Sequence, residues 1–156
     1  LPIYYSEAST ILKQASDIGY TPSFYGCDGM DGILTVENFD TSLAEGLMFL
    51  TPFVTTSEDE KVQNFVKTYE EKYGQTPNQF AADAYDSVYA IYEACKKAGA
   101  TADMTSQELC DALKTAMTEI TIDGLTGKGI SWQANGEPNK EPLVAKIEGG
   151  EYTMLQ

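Results

Sequence analysis

The segment YGCDGMDG, residues 25–32, places two aspartates among three glycines directly after an apolar run. Such a segment can be a plain turn, a metal-binding loop, or an anionic anchor that a strand end presents to a cationic ligand. An EF-hand loop needs oxygen ligands at alternate positions, but the third and fifth positions counted from Asp28 are Met30 and Gly32. We therefore predict no metal site, and the turn and the anchor stay open as alternatives.

Other common forms of site chemistry find little support in this sequence. The chain has no histidine, which removes Ser/His/Asp and Cys/His catalysis and the usual zinc sites. Its cysteines lack metal-ligand spacing and are predicted to be free, mostly buried thiols: Cys27, Cys95 and Cys110. The segment GLTGKG, residues 124–129, resembles a phosphate loop only superficially, because Gly129 stands where Ser or Thr must follow the lysine. We predict neither an enzyme nor a bound cofactor.

The charge of the chain argues against nucleic acid as a partner. Of its 156 residues, 24 are acidic and 10 are basic, every basic residue is a lysine, and the formal net charge is −14. Phosphate binding needs a basic surface, which this composition does not supply. No apolar run approaches the roughly 18 residues of a membrane span. The chain opens on the apolar residues Leu1, Pro2 and Ile3, like a strand cut partway through, and we expect a fragment of a longer protein.

Helical periodicity predicts the elements that must position the loop. Apolar residues recur at helical spacing at Ala8, Ile11, Leu12, Ala15 and Ile18, and Gly19 is placed to end that helix. Further helices are predicted at residues 57–73, at Gln79–Ala98, and after residue 105, the first and last of them begun by the capping boxes Ser57/Glu60 and Thr105/Glu108. The predicted inward face of the helix Gln79–Ala98 consists of Ala84, Val88, Ile91 and Cys95.

Strands predicted at residues 23–27, 46–53, 129–133, 143–147 and 152–155 complete an α/β architecture, a three-layer open sheet with flanking helices. In open α/β sheets, ligands gather beyond the carboxyl ends of the strands. Asp28 follows one such end, and Tyr4 and Tyr5 follow another, so a carboxylate and a phenol could converge there. The alternative for the tyrosines is that at least one belongs to the core. We expect Gly26 and Gly29 to allow close approach of a ligand and positive φ.

Three segments in order resemble the type I periplasmic-binding-protein-fold receptors, above all the branched-chain amino-acid (leucine/isoleucine/valine) binding proteins of ABC transporters. They are LPIYYSEASTILKQASDIGYTPSFYGCDGMDG, TPNQFAADAYDSVYAIYEACKKAG and LTGKGISWQANGEPNKEPLVAKIEGGEY. The resemblance covers essentially the whole chain. It implies a two-lobed fold whose N-terminal half is missing here. Residues 1–52 would belong to the second lobe, residues 53–133 would return to the first lobe, and residues 134–156 would rejoin the second.

The same resemblance implies the site residues. Tyr4 would lie against the ligand, Asp28 would take the ligand's ammonium group, and Phe80 would face the ligand from the other lobe. Cys27 departs from the Gly or Pro that the family pattern leads us to expect beside the acidic residue. No metal or cofactor is implied.

The function that the resemblance implies is the capture of an amino acid outside the cytoplasmic membrane, by a periplasmic protein or a cell-surface lipoprotein. Its partners would be the small-molecule amino-acid ligand and the membrane permease of an ABC transporter. Two alternatives remain. One is a sensory receptor domain of the same fold, and the other is a flavodoxin-like α/β enzyme.

Overall fold

A computed structural model describes residues 1–141 and 143–155 of the chain. Its helices are α1 (Tyr5–Asp17), α2 (Glu60–Tyr73), α3 (Gln79–Ala98) and α4 (Ser106–Met117), and its strands are β1 (Met48–Leu50), β2 (Val144–Glu148) and β3 (Glu151–Leu155). Short 3-10 turns span Asp28–Met30, Ile33–Thr35 and Thr41–Ala44. Helices and strands of this kind confirm the predicted α/β class. Within the described residues, no helix combines the length and apolar character that a membrane crossing requires.

The chain divides into two compact units. The first unit comprises Leu1–Gln79 together with the C-terminal strands, and the second comprises Phe80–Glu141. The predicted lobe boundaries at residues 52 and 133 concern the complete two-lobed protein and stay a prediction. Pro142 and Gln156, which belong to the predicted tail 134–156, lie outside the described residues.

The first unit is built on a three-stranded antiparallel sheet in the order β1-β2-β3. In its register, Ala145 of β2 lies between Phe49 of β1 and Met154 of β3. The strands predicted within 46–53, 143–147 and 152–155 are therefore confirmed, with the bounds given above. The two later strands are joined by a hairpin at Gly149 and Gly150, both of which have positive φ.

The predicted strand 23–27 is reduced to one bridge, in which Tyr25 pairs in parallel with Met48. Pairing extends no further because Pro22 has no N–H to donate and a 3-10 turn begins at Asp28. The prediction of a full strand was wrong. The chain nevertheless leaves the edge of the sheet immediately before the turn that carries Asp28.

The core of the first unit lies between the sheet, α1 and the short turns. Period-two burial on β2 places Ala145 and Ile147 fully inside, and a stripe on α1 contributes Ala8 and Leu12 at helical spacing. Its buried members are Ala8, Leu12, Met30, Ile33, Ala44, Leu47, Phe49, Val54, Ala145 and Ile147. Ile18, which was predicted to point inward, is 80% exposed because it is the C-cap residue beyond the last turn of α1.

The second unit packs α3 and α4 with the segment that follows them. Two small clusters of buried residues occur among the described residues of this unit, Ala90 with Ile122 and Ile130, and Ala94 with Ala116 and Ile120. Trp132 packs against both clusters. The buried Asp86 carboxylate of α3 accepts hydrogen bonds from the backbone N–H groups of Leu125 at 2.7 Å and Thr126 at 2.9 Å. A carboxylate that is bonded in this way is tolerated inside the unit.

The inward face of α3 differs from the prediction. The buried positions are 82, 86, 90 and 94, each about one turn from the next. Val88 and Ile91, which were predicted to be inward, are 66% and 54% exposed, and Ala84 is exposed as well. The prediction was wrong because apolar periodicity follows the large side chains, whereas the packed face uses three alanines and a hydrogen-bonded carboxylate. The large side chains form a second face that this chain leaves open.

The predicted strand 129–133 is also wrong. Two isolated antiparallel bridges, Ile122 with Ile130 and Trp132 with Pro138, take its place. Gly129 adopts a left-handed φ of 62° at the start of the segment, and Pro138 has no N–H to extend the pairing.

The capping signals were read correctly at one helix and not at the other. Thr105 and Glu108 form the predicted capping box at α4, and the hydrogen bonds from the backbone and hydroxyl of Thr105 hold the pKa of Glu108 below its usual value. At α2 the N-cap is Asp59, whose carboxylate accepts from Lys61 N–H at 2.8 Å. The Ser57 hydroxyl accepts instead from Asp59 N–H at 3.3 Å.

Neighbouring residues of β1 provide a test of the core. Phe49 is 2% exposed and its ring meets that of Tyr152 edge-on at a centroid distance of 5.2 Å, whereas Leu50 points to the other face and is 44% exposed. We expect Phe49→Ala to lower the free energy of unfolding by about 3–5 kcal/mol. The matched control Leu50→Ala should cost less than about 1 kcal/mol. Urea unfolding followed by circular dichroism measures both, and equal losses would contradict the described register.

Candidate functional site

The 3-10 turn at Asp28 is held through its backbone. The Asp28 carbonyl accepts hydrogen bonds from Asp31 N–H at 3.2 Å and from the side-chain Nε2 of Gln79 at 2.5 Å. The Asp28 side chain itself is exposed. The loop 26–32, which we call the Asp28 loop, therefore presents a carboxylate from a fixed backbone at the end of the Tyr25 bridge.

Glycine at position 29 is required by the neighbouring chain. A Cβ at Gly29 would lie 2.8 Å from the carbonyl oxygen of Ile3 and 3.3 Å from Cα of Tyr4. Real Cβ atoms essentially never approach backbone at the first of these distances, so any other residue would push the loop away from the start of α1. The expected positive φ occurs at Gly32, with φ 111°, and the prediction of positive φ at Gly26 and Gly29 was wrong.

The two tyrosines at the start of α1 have different environments. Tyr4 is the N-cap residue of α1 and is 64% exposed, whereas Tyr5 is partly buried and packs against the core of the first unit. Tyr5 thus packs with the core, which agrees with the alternative that at least one of the two tyrosines has a core role. Because the backbone of Gly29 lies against that of Tyr4, the first unit brings Tyr4 and the Asp28 loop side by side.

Phe80 is the second residue of α3 and is partly buried. It opens the second compact unit, whereas Tyr4 and Asp28 belong to the first. Its predicted place opposite Tyr4 and Asp28 stays a prediction.

Asp31 is a residue of this site that the sequence analysis missed. Its side chain is 2% exposed, and its Oδ2 accepts a hydrogen bond from the backbone N–H of Gln79 at 2.5 Å. The Tyr152 phenol accepts a hydrogen bond from Gly32 N–H at 3.1 Å and lies within electrostatic range of the Asp31 carboxylate. Burial, together with the negative charge of Asp31, raises the pKa of Tyr152 above its ordinary value of 10.0. Asp31 therefore holds the loop, while the exposed Asp28 remains available to a ligand.

Gln79 is the second residue that the sequence analysis missed. It is 1% exposed, and its amide orientation follows from its Nε2 group facing the Asp28 carbonyl. Its Oε1 has no hydrogen-bond partner among the residues that the structure describes. A buried acceptor without a donor costs about 1–3 kcal/mol. No pattern in the sequence distinguishes this glutamine from the exposed Gln75 nearby.

Comparison with known proteins places this geometry in a family. A sequence model of the family described as periplasmic binding protein matches residues 4–151. The branched-chain amino-acid transporter substrate-binding protein of Streptococcus pneumoniae, solved in complex with isoleucine, is 31% identical with a TM-score of 0.77, over 99% of this chain and 43% of that one. Among curated proteins, no sequence matches the chain.

More distant structures share the fold. A leucine-binding protein of Thermotoga maritima has a TM-score of 0.77 at 24% identity, over 99% of this chain and 42% of that one. An ABC transporter solute-binding protein of R. palustris, solved with benzoate, has a TM-score of 0.77 at 19% identity, over 95% and 39%. The chain thus spans less than half the length of these relatives.

The burial of the Tyr152 phenol near Asp31 predicts a specific pH dependence of stability. Because folding raises the pKa of Tyr152, the phenol stabilises the fold fully below about pH 10, and this contribution is lost as the pH rises above the unfolded value. Tyr152→Phe should cost about 0.5–1.5 kcal/mol at pH 7 and should make the decline in stability from pH 9 to 11 shallower. Urea unfolding at pH 7, 9 and 11 measures both effects. The control is Tyr20→Phe, because the side chain of Tyr20 is 60% exposed. An unchanged decline in Tyr152→Phe would refute the assignment.

Proposed function

This chain belongs to the periplasmic binding protein family, and on that premise we propose that it is part of a receptor that captures an amino acid and delivers it to the membrane permease of an ABC transporter. The S. pneumoniae relative, which is named for branched-chain amino acids and holds isoleucine, supports this ligand class. The benzoate-bound relative shows that the fold also accommodates an anion without an ammonium group. The choice between such ligands therefore depends on the residues of the site.

The observation that carries the proposal is the exposed carboxylate of Asp28 on a loop whose backbone is fixed beside Tyr4. An amino-acid ligand supplies an ammonium group, and a charge-assisted hydrogen bond to a carboxylate contributes about 1.5–3 kcal/mol. A benzoate-like ligand would be repelled by the same carboxylate. Asp28 thus favours a zwitterion over a simple carboxylic acid.

We assign the remaining contacts by the family resemblance. The Tyr4 ring would lie against the ligand beside Asp28, and Phe80 would approach from the other lobe. Closure of the two lobes of the complete receptor would exclude water and strengthen the ammonium–carboxylate pair. The receptor would act outside the cytoplasmic membrane, as a periplasmic protein or a surface lipoprotein.

The open face of α3 fits a longer protein. Val88, Tyr89, Ile91 and Tyr92 are each about half exposed or more, with values of 66%, 49%, 54% and 56%. A contiguous apolar and aromatic face of this kind marks a surface that is covered in the functional molecule. Since the relatives are more than twice as long as this chain, we propose that the remainder of the receptor covers it.

Substitution of Asp28 tests the ligand class. In the complete receptor, Asp28→Asn should weaken L-isoleucine binding by roughly 10²-fold or more, because a buried ammonium loses its charged partner. Tyr4→Phe should weaken it by less than roughly tenfold, since at most one neutral hydrogen bond is lost. Isothermal titration calorimetry measures both, with the exposed Asp17→Asn as the charge-matched control.

A plain turn role predicts a different result. Asparagine forms turns as well as aspartate does, so Asp28→Asn would then leave the affinity intact. An unchanged affinity would contradict the assignment of Asp28 as the residue that binds the ligand's ammonium group. A wild-type receptor that prefers the deaminated 2-keto acid to the amino acid would contradict it as well.

Substitution on α3 tests the covered face. Val88→Asp should change the stability of the 156-residue chain by less than about 0.5 kcal/mol, because the position is exposed. In the complete receptor the same change should cost about 3 kcal/mol or more, because an unpaired charge becomes buried. The exposed Ser87→Asp is the control on the same helix. Equal effects of Val88→Asp in the two proteins would contradict the proposed cover.

A further inference from the structure

We propose that Gln79 is a positioning residue that fixes the direction of the Asp28 carboxylate and so sets the receptor's preference for ligands with an ammonium group. The inference rests on the proposed function, since it concerns the same anchor. This role does not require Gln79 to contact the ligand. It acts through the backbone of the Asp28 loop.

Gln79 donates two hydrogen bonds to the loop, one from its backbone and one from its side chain. The backbone N–H of Gln79 donates to the Asp31 carboxylate, and the Gln79 side chain donates to the Asp28 carbonyl, each at 2.5 Å. These residues are 48 and 51 positions away in the chain. A single buried residue thereby holds both ends of the short turn, one by its main chain and one by its side chain. The second bond fixes the peptide plane that follows Asp28, and with it the direction of the Asp28 Cα–Cβ bond from which the carboxylate extends.

The unpaired Oε1 argues that stability is not the reason for this amide. The side chain gains a hydrogen bond at Nε2 but leaves its other polar atom buried without a donor among the described residues. An apolar side chain of the same length would lose the bond and avoid the unpaired acceptor, so the net change in stability should be small. What such a side chain cannot do is hold the Asp28 carbonyl. The amide therefore contributes to position more than to stability.

Gln79→Met is the corresponding variant, with the exposed Gln75→Met as its matched control. In the 156-residue chain, amide hydrogen exchange should show at least roughly tenfold less protection at Asp31, whose N–H shares the Asp28 carbonyl, and unchanged protection in the middle of α1. The midpoint of thermal unfolding should move by no more than about 4 °C. Should Gln79→Met fail to fold, Gln79→Asn, whose shorter side chain cannot reach the carbonyl, provides the same comparison.

Binding to the complete receptor separates positioning from a general effect on the fold. Gln79→Met should weaken L-isoleucine binding by roughly tenfold in the wild-type background but less than roughly twofold in Asp28→Asn, because the two residues act as a unit. Equal losses in the two backgrounds would overturn the inference, as would unchanged exchange at Asp31. A wild-type receptor that binds no amino acid would overturn the proposed function instead, and the exchange result would still decide whether Gln79 holds the loop.

Discussion

The Asp31 carboxylate joins segments that lie far apart in the chain. It accepts a hydrogen bond from the backbone N–H of Gln79, interacts electrostatically with the phenol of Tyr152 in β3, and belongs to the turn that begins at Asp28. A carboxylate buried this deeply is costly unless its oxygens are hydrogen-bonded. The main-chain N–H of Gln79 helps to meet this requirement. Movement of the loop would leave a buried charge unpaired. Asp28 belongs to the same loop, so its backbone is held in place as well.

The two aspartates of one short turn thus have separate roles. Asp31 faces inward and sets the geometry, while Asp28 faces outward and is free of that structural duty. The close approach of Gly29 to the backbone of Ile3 adds a steric limit from the other side. Together these contacts pre-organise a charge at a strand end, which reduces the entropic cost of ordering the site when a ligand binds.

Much of this could be predicted from local sequence. The α/β class, the α3 bounds, the capping box at Thr105 and the placement of Asp28 after a sheet edge all follow from short-range patterns. The predictions that were wrong or missing concern positions that are decided by tertiary contacts. The inward face of α3 follows small residues and Asp86 because the segment after α4 packs there, and helical periodicity cannot show which of two apolar faces is covered. Asp31 and Asp28 look alike in sequence, since only contacts with Gln79 and Tyr152 tell them apart.

The packing of Trp132 has a consequence for spectroscopy. It is the single tryptophan of the chain and packs against the two described clusters of the second unit, whereas Asp28 and Tyr4 belong to the first. Intrinsic indole emission therefore reports on α3, on α4, and on the segment that leads from the end of α4 to Trp132. Far-ultraviolet ellipticity reports on both units together. A difference between the two signals during denaturation would show that the units lose structure independently, whereas coincident transitions would indicate one cooperative molecule.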